Sequence, residues 1–446
     1  MQSLSSCGAT DAQTLQLLDH AIDLHTSGAV EQAAQIYRQV LMQDAQEPTA
    51  LHYLGIVLHQ QGQNEDGIAY LRQSCDLQPD NAAWHNDLGN VLFATQQFAA
   101  AAQAYDMSLR FEPDDHEVWN NLGAAQLQGD DSAAAILSFQ QALALLPDFV
   151  PALMHLGNIY EAAGDKLTSA GYQCRAYVLP PLQGKSREML GISFYFLGRL
   201  QEAAEIYRLW MDEEPDNPIA AHMYAACSQT AVPGRASNNY IEQYFDRYAD
   251  TFNANLTDSL AYRGPELMRQ GLQQIAAAGA QYDILDLGCG TGLCAPIAAP
   301  YRRSLIGVDL SGKMLDQARA RGGYDGLFKQ EICAYMDTRK AAFDIVLAAD
   351  TVIYFGDLRE VLNAVARSLR PGGHIIFTIE AVEPDEASGG PGFHLHASGR
   401  YRHSKAYVSQ TLQNADLLLV SLSDAVLREE IRRPVAGMLV IARRAD

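Results

Sequence analysis

The sequence predicts two parts: an all-α superhelical solenoid of helical hairpins, then an α/β domain built on a doubly wound parallel sheet. Three observations predict it. A Leu-Gly pair returns every 34 residues through the first half, and a proline trails each pair at a constant distance. After residue 282, short β-type runs alternate with helical stretches around a glycine-rich turn. At 446 residues the chain exceeds one ordinary core, and its 48% hydrophobic content supports sizeable packed domains.

The pairs are Leu54-Gly55, Leu88-Gly89, Leu122-Gly123, Leu156-Gly157 and Leu190-Gly191, and the prolines are Pro79, Pro113, Pro147, Pro181 and Pro215. Ala101, Ala135 and Ala203 share one phase between them, with Gly67 and Ser169 as small alternatives. Small residues are needed where two helices cross closely. A proline ends the second helix because it cannot continue the hydrogen-bond ladder. Such a hairpin cannot bury its apolar face alone, so neighbours must stack.

This pattern resembles the tetratricopeptide repeat over about residues 15–230. It departs at the first unit, which has Ala21 at the glycine position and reaches Pro48 out of phase. The resemblance implies an N-terminal domain, residues 1–232, of about six hairpins with a capping helix at Pro218–Gln229. It also implies a concave groove lined by the first helix of each hairpin. The groove phase is rich in amides, Asn86, Asn90, Asn120 and Asn158, with His52 and His59 nearby. An amide offers a donor and an acceptor together, which suits an extended peptide backbone. The expected partner is a peptide or protein.

A short linker, Val232-Pro233-Gly234, precedes the second domain, residues 236–446. Strands are expected at Asp283–Leu287, Ser304–Val308, Asp344–Ala348 and His374–Ile379, with a closing antiparallel pair at Leu417–Ser421 and Met438–Ala442. The first strand runs into Asp286-Leu-Gly288-Cys-Gly290-Thr-Gly292, and the second ends at Asp309. A glycine turn followed by a helix lets a nucleotide approach backbone N–H groups, and an acid after the next strand can take ribose hydroxyls. A dinucleotide would want a glycine where Leu293 stands, and Asp286 would repel a pyrophosphate.

These residues resemble class I S-adenosylmethionine-dependent methyltransferases, more narrowly the ubiquinone- and biotin-pathway type, over about residues 240–446. The resemblance implies a Rossmann-like methyltransferase domain with S-adenosylmethionine as cofactor. Asp286, Gly288, Gly290 and Gly292 match the loop that holds the methionine part. Asp309 matches the ribose acid, with Leu310 and Met314 bordering the adenine, and Glu331-Ile332 match the pair that reads the adenine. Asp350 to Tyr354 match the segment on the methyl-donor side. Tyr244, Tyr248 and Phe252 recur four apart on a lid helix, one face of which is expected to close over the sulfonium.

Acceptor chemistry is expected beyond the fifth strand, where Glu380 leaves the strand end. A flexible run, Glu383–Gly392, leads into Phe393-His-Leu-His-Ala-Ser-Gly-Arg400-Tyr-Arg-His403-Ser404. His403, before a helix, is the expected general base, with Tyr354 and Arg400 facing the same pocket. His394 and His396 supply only two ligands, so no metal is expected.

Residues 1–235 carry 28 acidic against 10 basic side chains, within a net charge of −21. That balance repels nucleic acid and anionic membranes. No apolar run approaches the roughly 18–20 residues of a membrane span, and no secretory signal opens the chain. Seven scattered cysteines without CxxC spacing fit reduced thiols, hence a cytoplasmic protein. The expected function is methyl transfer to a peptide or protein-borne acceptor that the repeats recruit. The alternatives are a small-molecule methyltransferase whose repeats serve assembly, and a non-catalytic cofactor-binding scaffold.

Overall fold

The structure is a computed structural model that describes residues 7–254, 261–277, 279–383, 390–430 and 433–446. It divides into two compact units, Met1–Pro181 and Leu182–Asp446.

Five helical hairpins make up the first unit. They are α1 (Cys7–Thr26) with α2 (Val30–Gln43), α3 (Pro48–Gln60) with α4 (Asn64–Leu77), and α5 (Ala82–Ala94) with α6 (Phe98–Phe111). Then come α7 (His116–Gln128) with α8 (Ser132–Leu145), and α9 (Val150–Ala162) with α10 (Lys166–Tyr177). Side-chain caps start several helices: Asn81 accepts from Trp84 N, and Asp115 accepts from Glu117 N and Val118 N.

The repeat glycine has a steric reason. A Cβ at Gly89 would lie 2.5 Å from the Tyr105 ring, and one at Gly123 would lie 2.8 Å from Phe139. Each ring stands 16 residues after its glycine, and the same phase holds Tyr37, opposite Ala21, and the aliphatic Leu71, opposite Gly55, so that Tyr37, Leu71, Tyr105 and Phe139 recur at the 34-residue period and are all buried. Sequence reading found the notch and missed the ring that fills it. The fifth hairpin is the exception. Gly157 faces the flexible side chain of Gln173, and α10 buries only Ser169 and Ala176.

The second unit opens with a sixth hairpin, α11 (Arg187–Phe196) and α12 (Leu200–Glu213), then α13 (Pro218–Ser228) and α14 (Asn238–Ala254). Here too a Cβ at Gly191 would collide with its ring, Tyr207, at 2.4 Å. The sequence expectation sets a domain boundary at residues 232–236, whereas the compact unit begins at residue 182. Contacts described below account for that grouping.

The α/β part runs α15 (Gly264–Ile275), β1 (Tyr282–Leu287), α16 (Ala295–Ala298), β2 (Arg302–Asp309), α17 (Gly312–Arg321), β3 (Gly326–Lys329) and α18 (Ile332–Asp337). It continues β4 (Phe343–Ala348), α19 (Arg359–Ser368), β5 (Leu369–Ala381), β6 (Phe393–Leu395), β7 (Tyr401–His403), α20 (Lys405–Asn414), β8 (Leu417–Glu430) and β9 (Arg433–Arg444). Strands β3, β2, β1, β4 and β5 lie side by side and parallel, β9 pairs antiparallel with β5, and β8 with β9. The hairpin β6–β7 joins the far end of β5 through the pairs Glu380↔Arg402 and Ala381↔His403.

Alternation fixes the faces of this sheet. Ile284, Ile345, Leu347 and Ile376 pack with Leu267, Met268 and Leu272 of α15. Leu285, Val346, Ile375 and Phe377 pack with Val361, Leu362 and Val365 of α19 and with Val408 of α20. Both faces are covered, which is why these strands read as continuous apolar runs. Strand order reverses at β1, between β2 and β4, and the strand ends there open the crevice where ligands of such sheets bind. No helix among the described residues is long and apolar enough to cross a membrane.

Candidate cofactor and acceptor site

The glycine turn leaves β1 with Gly288, Gly290 and Gly292 all at positive φ, +59°, +53° and +81°. L-residues with a side chain resist that conformation. At Gly288 space is also short, since a Cβ would lie 2.4 Å from Thr351 Oγ1. Thr351 in turn donates to Leu287 O at 2.8 Å, bracing the turn from the end of β4.

Two acids flank the turn. Asp286 is 1% exposed and accepts a hydrogen bond from Tyr324 OH at 2.7 Å. Burial raises its carboxyl to about 7, opposed by the Tyr324 hydrogen bond and reinforced by the charge on Asp309. Asp309 is 8% exposed; Oδ2 accepts from Gly290 N at 2.9 Å, and Oδ1 accepts from Ser311 N at 2.8 Å. Burial raises it as well, against those backbone hydrogen bonds. Neither acid has an ion-pair partner among the described residues.

The adenine-side candidates gather beyond β2 and β3. Leu310 is half-buried, while Met314 and Ile332 are buried beneath α17 and α18. Glu331 caps α18 by accepting from Ala334 N at 2.8 Å and pairs with Arg235 at 3.2 Å. With Arg235, Ser237, Asn238 and Glu360 it lines an open pocket of about 570 Å³.

Helix α14 lies against this side, but through residues the sequence reading did not single out. Asp246 accepts from Ser311 Oγ at 2.5 Å and from Lys313 N at 3.3 Å, and Glu242 pairs with Lys329 at 2.7 Å. Tyr244 and Tyr248 form a run of rings with Tyr240, at centroid distances of 5.6 and 5.0 Å. The hydroxyl of Tyr244 is raised by burial and then feels Arg400, Glu430 and Arg428, which belong to the other side of the crevice, and Glu188 of the preceding repeat helices. The side chain of Phe252 lies outside the described residues.

On that other side, Asp350 holds φ +50°, donates its N–H to Thr378 Oγ1 at 2.8 Å and pairs with Arg428 at 2.9 Å. Arg428, 3% exposed, also contacts Glu380 and meets Glu430 at 2.8 Å. Arg400 pairs with Glu430 at 2.5 Å and approaches Glu380 at 3.5 Å. Tyr354 packs against Phe245 at 5.6 Å, and burial raises its hydroxyl. Arg428, Glu380 and Glu430 thus join Asp350 and Arg400 in one charge cluster. Only Arg400, Asp350 and the strand-end Glu380 carried a signal in sequence, because the partners lie 48 and 78 residues apart.

The expectation of His403 as general base meets a correction. The side chain is fully buried, its Nε2 is hydrogen-bonded to Gly356 O at 3.0 Å, and its ring packs against Phe393 and Tyr407. Burial lowers it to about 4, so it is neutral at physiological pH and closed off from any acceptor. The pairing of β7 with β5 turns Tyr401 and His403 inward. Of the run Glu383–Gly392, residues 384–389 lie outside the described residues.

In the repeat unit, His52, Asn86 and Asn120 stand one repeat apart. His52 Nδ1 and the side-chain oxygens of Asn86 and Asn120 are buried without a hydrogen-bond partner among the described residues. Asn90 accepts from Tyr105 OH at 2.9 Å, and both Asn90 and Asn158 are exposed.

Comparison with known proteins agrees with both halves. Residues 18–148 match the tetratricopeptide repeat family in three overlapping stretches, and residues 285–377 match the methyltransferase domain family. The chain thus carries tetratricopeptide repeats followed by a methyltransferase domain. A ubiquinone biosynthesis O-methyltransferase of Idiomarina loihiensis is 31% identical over 99 residues, 21% of this chain and 41% of that protein. Methyltransferase-like protein 27 of Homo sapiens is 33% identical over 144 residues, 30% of this chain and 56% of that protein. The chain thus spans about half the length of these relatives. A solved S-adenosylmethionine-dependent methyltransferase from Mesorhizobium loti is 22% identical, with a TM-score of 0.32, over 40% of this chain and 98% of that one.

Proposed function

We propose that the protein is an enzyme that moves the methyl group of S-adenosylmethionine to an oxygen, nitrogen or carbon of a peptide or protein-borne acceptor recruited by the repeats, and that it works in the cytoplasm. One observation carries the cofactor part: Asp286 and Asp309 are both buried at the glycine turn without an ion-pair partner among the described residues. A ligand with a sulfonium and an ammonium relieves that cost, whereas a pyrophosphate adds to it. When bound, the cofactor supplies a methyl group on positively charged sulfur. Asp286 and the glycine turn then hold its methionine end, Asp309 its ribose, and Glu331 with Ile332, Leu310 and Met314 its adenine.

The crevice orients the acceptor and excludes water, which suffices for an in-line displacement. Asp350, Tyr354 and Arg400 are the groups we assign to the acceptor side. His403 keeps the β7 edge in place and takes no proton from the acceptor. Recruitment by the repeats is supported by His52, Asn86 and Asn120, whose unsatisfied buried polar atoms recur at one phase of three hairpins. Tritiated methyl transfer into lysate, separated into protein and small-molecule fractions, tests the reading. Label confined to small molecules would favour the second reading, a small-molecule enzyme whose repeats serve assembly.

A further inference from the structure

We propose that the linker ahead of the α/β part is itself a piece of the cofactor site: Arg235 is a positioning residue that holds Glu331 in place for the amino group of adenine and so sets the preference for that base. The inference rests on the methyl-transfer reading above. It adds a residue outside the stretch that matches the methyltransferase family, residues 285–377.

The linker is tied by its backbone to the loop after β4. Ala236 N donates to Tyr354 O at 2.8 Å, and Gly356 N and Asp357 N both donate to Gly234 O, at 2.9 and 2.8 Å. Arg235 stands between these bonds, bridged to Phe355. Its guanidinium lies over the Phe355 ring, 4.7 Å from the centroid, and Nη2 donates to Asn238 Oδ1 at 2.5 Å. Nη1 donates to Glu331 Oε1 at 3.2 Å. The exposed Glu360 comes within 3.7 Å of the same nitrogen.

An ion pair between two exposed, mobile side chains contributes little. Arg235 differs, because Phe355 and Asn238 fix its planar group independently of Glu331, and because Glu331 keeps only 15% of its side chain exposed. Glu331 is the N-cap of α18, and its other oxygen, Oε2, accepts from Ala334 N at 2.8 Å. One bond leaves the carboxylate free to turn about that oxygen; the second, from Arg235, sets its plane. These bonds use two of its roughly four lone-pair positions.

An ionised carboxylate only accepts. It takes a hydrogen bond from the 6-amino group of adenine, whereas the 6-carbonyl of hypoxanthine sets a second acceptor against it and leaves both unpaired. A carboxylate that can turn away escapes that clash, so the grip of Arg235 decides how strict the choice is. Arg235 and Glu331 border one open pocket of about 570 Å³ with Ser237 and Asn238. The group that positions and the group that reads thus face the same space.

The test uses the full chain and two ligands, S-adenosylhomocysteine and S-inosylhomocysteine, which carry an amino or a carbonyl group at C6 of the base. Calorimetry gives both affinities. The wild type is expected to prefer the adenine ligand at least about thirtyfold. Arg235→Ala should lower that preference about tenfold, weakening the adenine ligand and leaving the other within about threefold. Arg235→Lys, which keeps the charge without the fork, should recover part of it. With Glu331→Gln in place, Arg235→Ala should no longer change the preference. If Arg235→Ala does not fold, Arg235→Gln carries the same expectations. Equal weakening of both ligands, a wild type that does not distinguish them, or an undiminished effect of Arg235→Ala beside Glu331→Gln would each overturn the proposal. Failure of the wild type to bind S-adenosylhomocysteine would instead overturn the methyl-transfer reading.

Discussion

His222 and Gly399 are 177 residues apart in sequence, yet the imidazole Nε2 of one bonds to the carbonyl of the other at 2.8 Å in a fully buried setting. The ring also stacks on Tyr240 at 3.9 Å, and a Cβ at Gly399 would press on both Tyr240 and Met223. Around this point Ala225 and Ala226 share a core with Leu395 and Tyr401. The last repeat helix is thus part of the interior of the α/β unit.

A fragment of residues 182–446 is accordingly expected to express folded and melt cooperatively. One of residues 236–446 strips α13 from that core, leaves Gly399 O unsatisfied and should melt well below it. Thermal unfolding of the two fragments checks this, and equal midpoints would refute the assignment of α11–α13 to the second unit.

Asp309→Ala should weaken S-adenosylmethionine by about 2–3 kcal/mol, roughly 30- to 150-fold, through loss of charge-assisted hydrogen bonds to the ribose. Calorimetry reads the effect. Wild-type affinity in the variant would remove Asp309 from the site.

The pH dependence of cofactor binding should follow Asp286. Its folded value, near 7, lies above the ordinary carboxylate range, so the unliganded protein holds a proton there between about pH 4 and 7. A cationic ligand prefers the ionised acid and expels that proton. Affinity should therefore rise from pH 5 to 7 and level off above, with proton release in buffers of differing ionisation enthalpy. Asp286→Asn should bind weakly at every pH and lose the slope.

His403→Ala is expected to act on stability, not turnover. A histidine held at about 4 when folded binds fewer protons than the unfolded chain, whose value is about 6.5. Its contribution is present above pH 6.5 and is lost as pH falls toward 4, amounting to about 3 kcal/mol. The variant should unfold at lower urea with a flatter acid limb, while activity per folded molecule stays within about threefold. A loss of 10²-fold or more in turnover with unchanged stability would restore the base role.

Removing Arg428 strands Asp350 and Glu380 in a buried place. Arg428→Ala should cost about 3–5 kcal/mol in urea denaturation, and Arg428→Met with Glu380→Gln appreciably less. Equal costs would mean that the pairs are not what holds this end of the sheet.

Much of this was legible beforehand, and what was not has physical reasons. The 34-residue period, the glycine turn with Asp286, and Asp309 at the end of β2 are local patterns, and local geometry dictates them. The period runs unbroken to Pro215, so nothing in it reveals that the sixth hairpin groups with the α/β part. His403 sits in a polar stretch that reads as an exposed loop, and only pairing with Ala381 decides which way it faces. Arg428 lies in a strand whose neighbours give no hint of acids supplied from β5 and the end of β4.

Among the described hairpins the apolar filler of the notch is lost at one place, where Gln173 stands opposite Gly157. Fewer apolar contacts there mean that opening Val150–Tyr177 exposes less surface than opening Ala82–Phe111. Backbone amides of the fifth hairpin should then exchange with deuterium by local opening, ahead of those of the third. Proteases that cleave transiently opened chain should first nick the array in this hairpin.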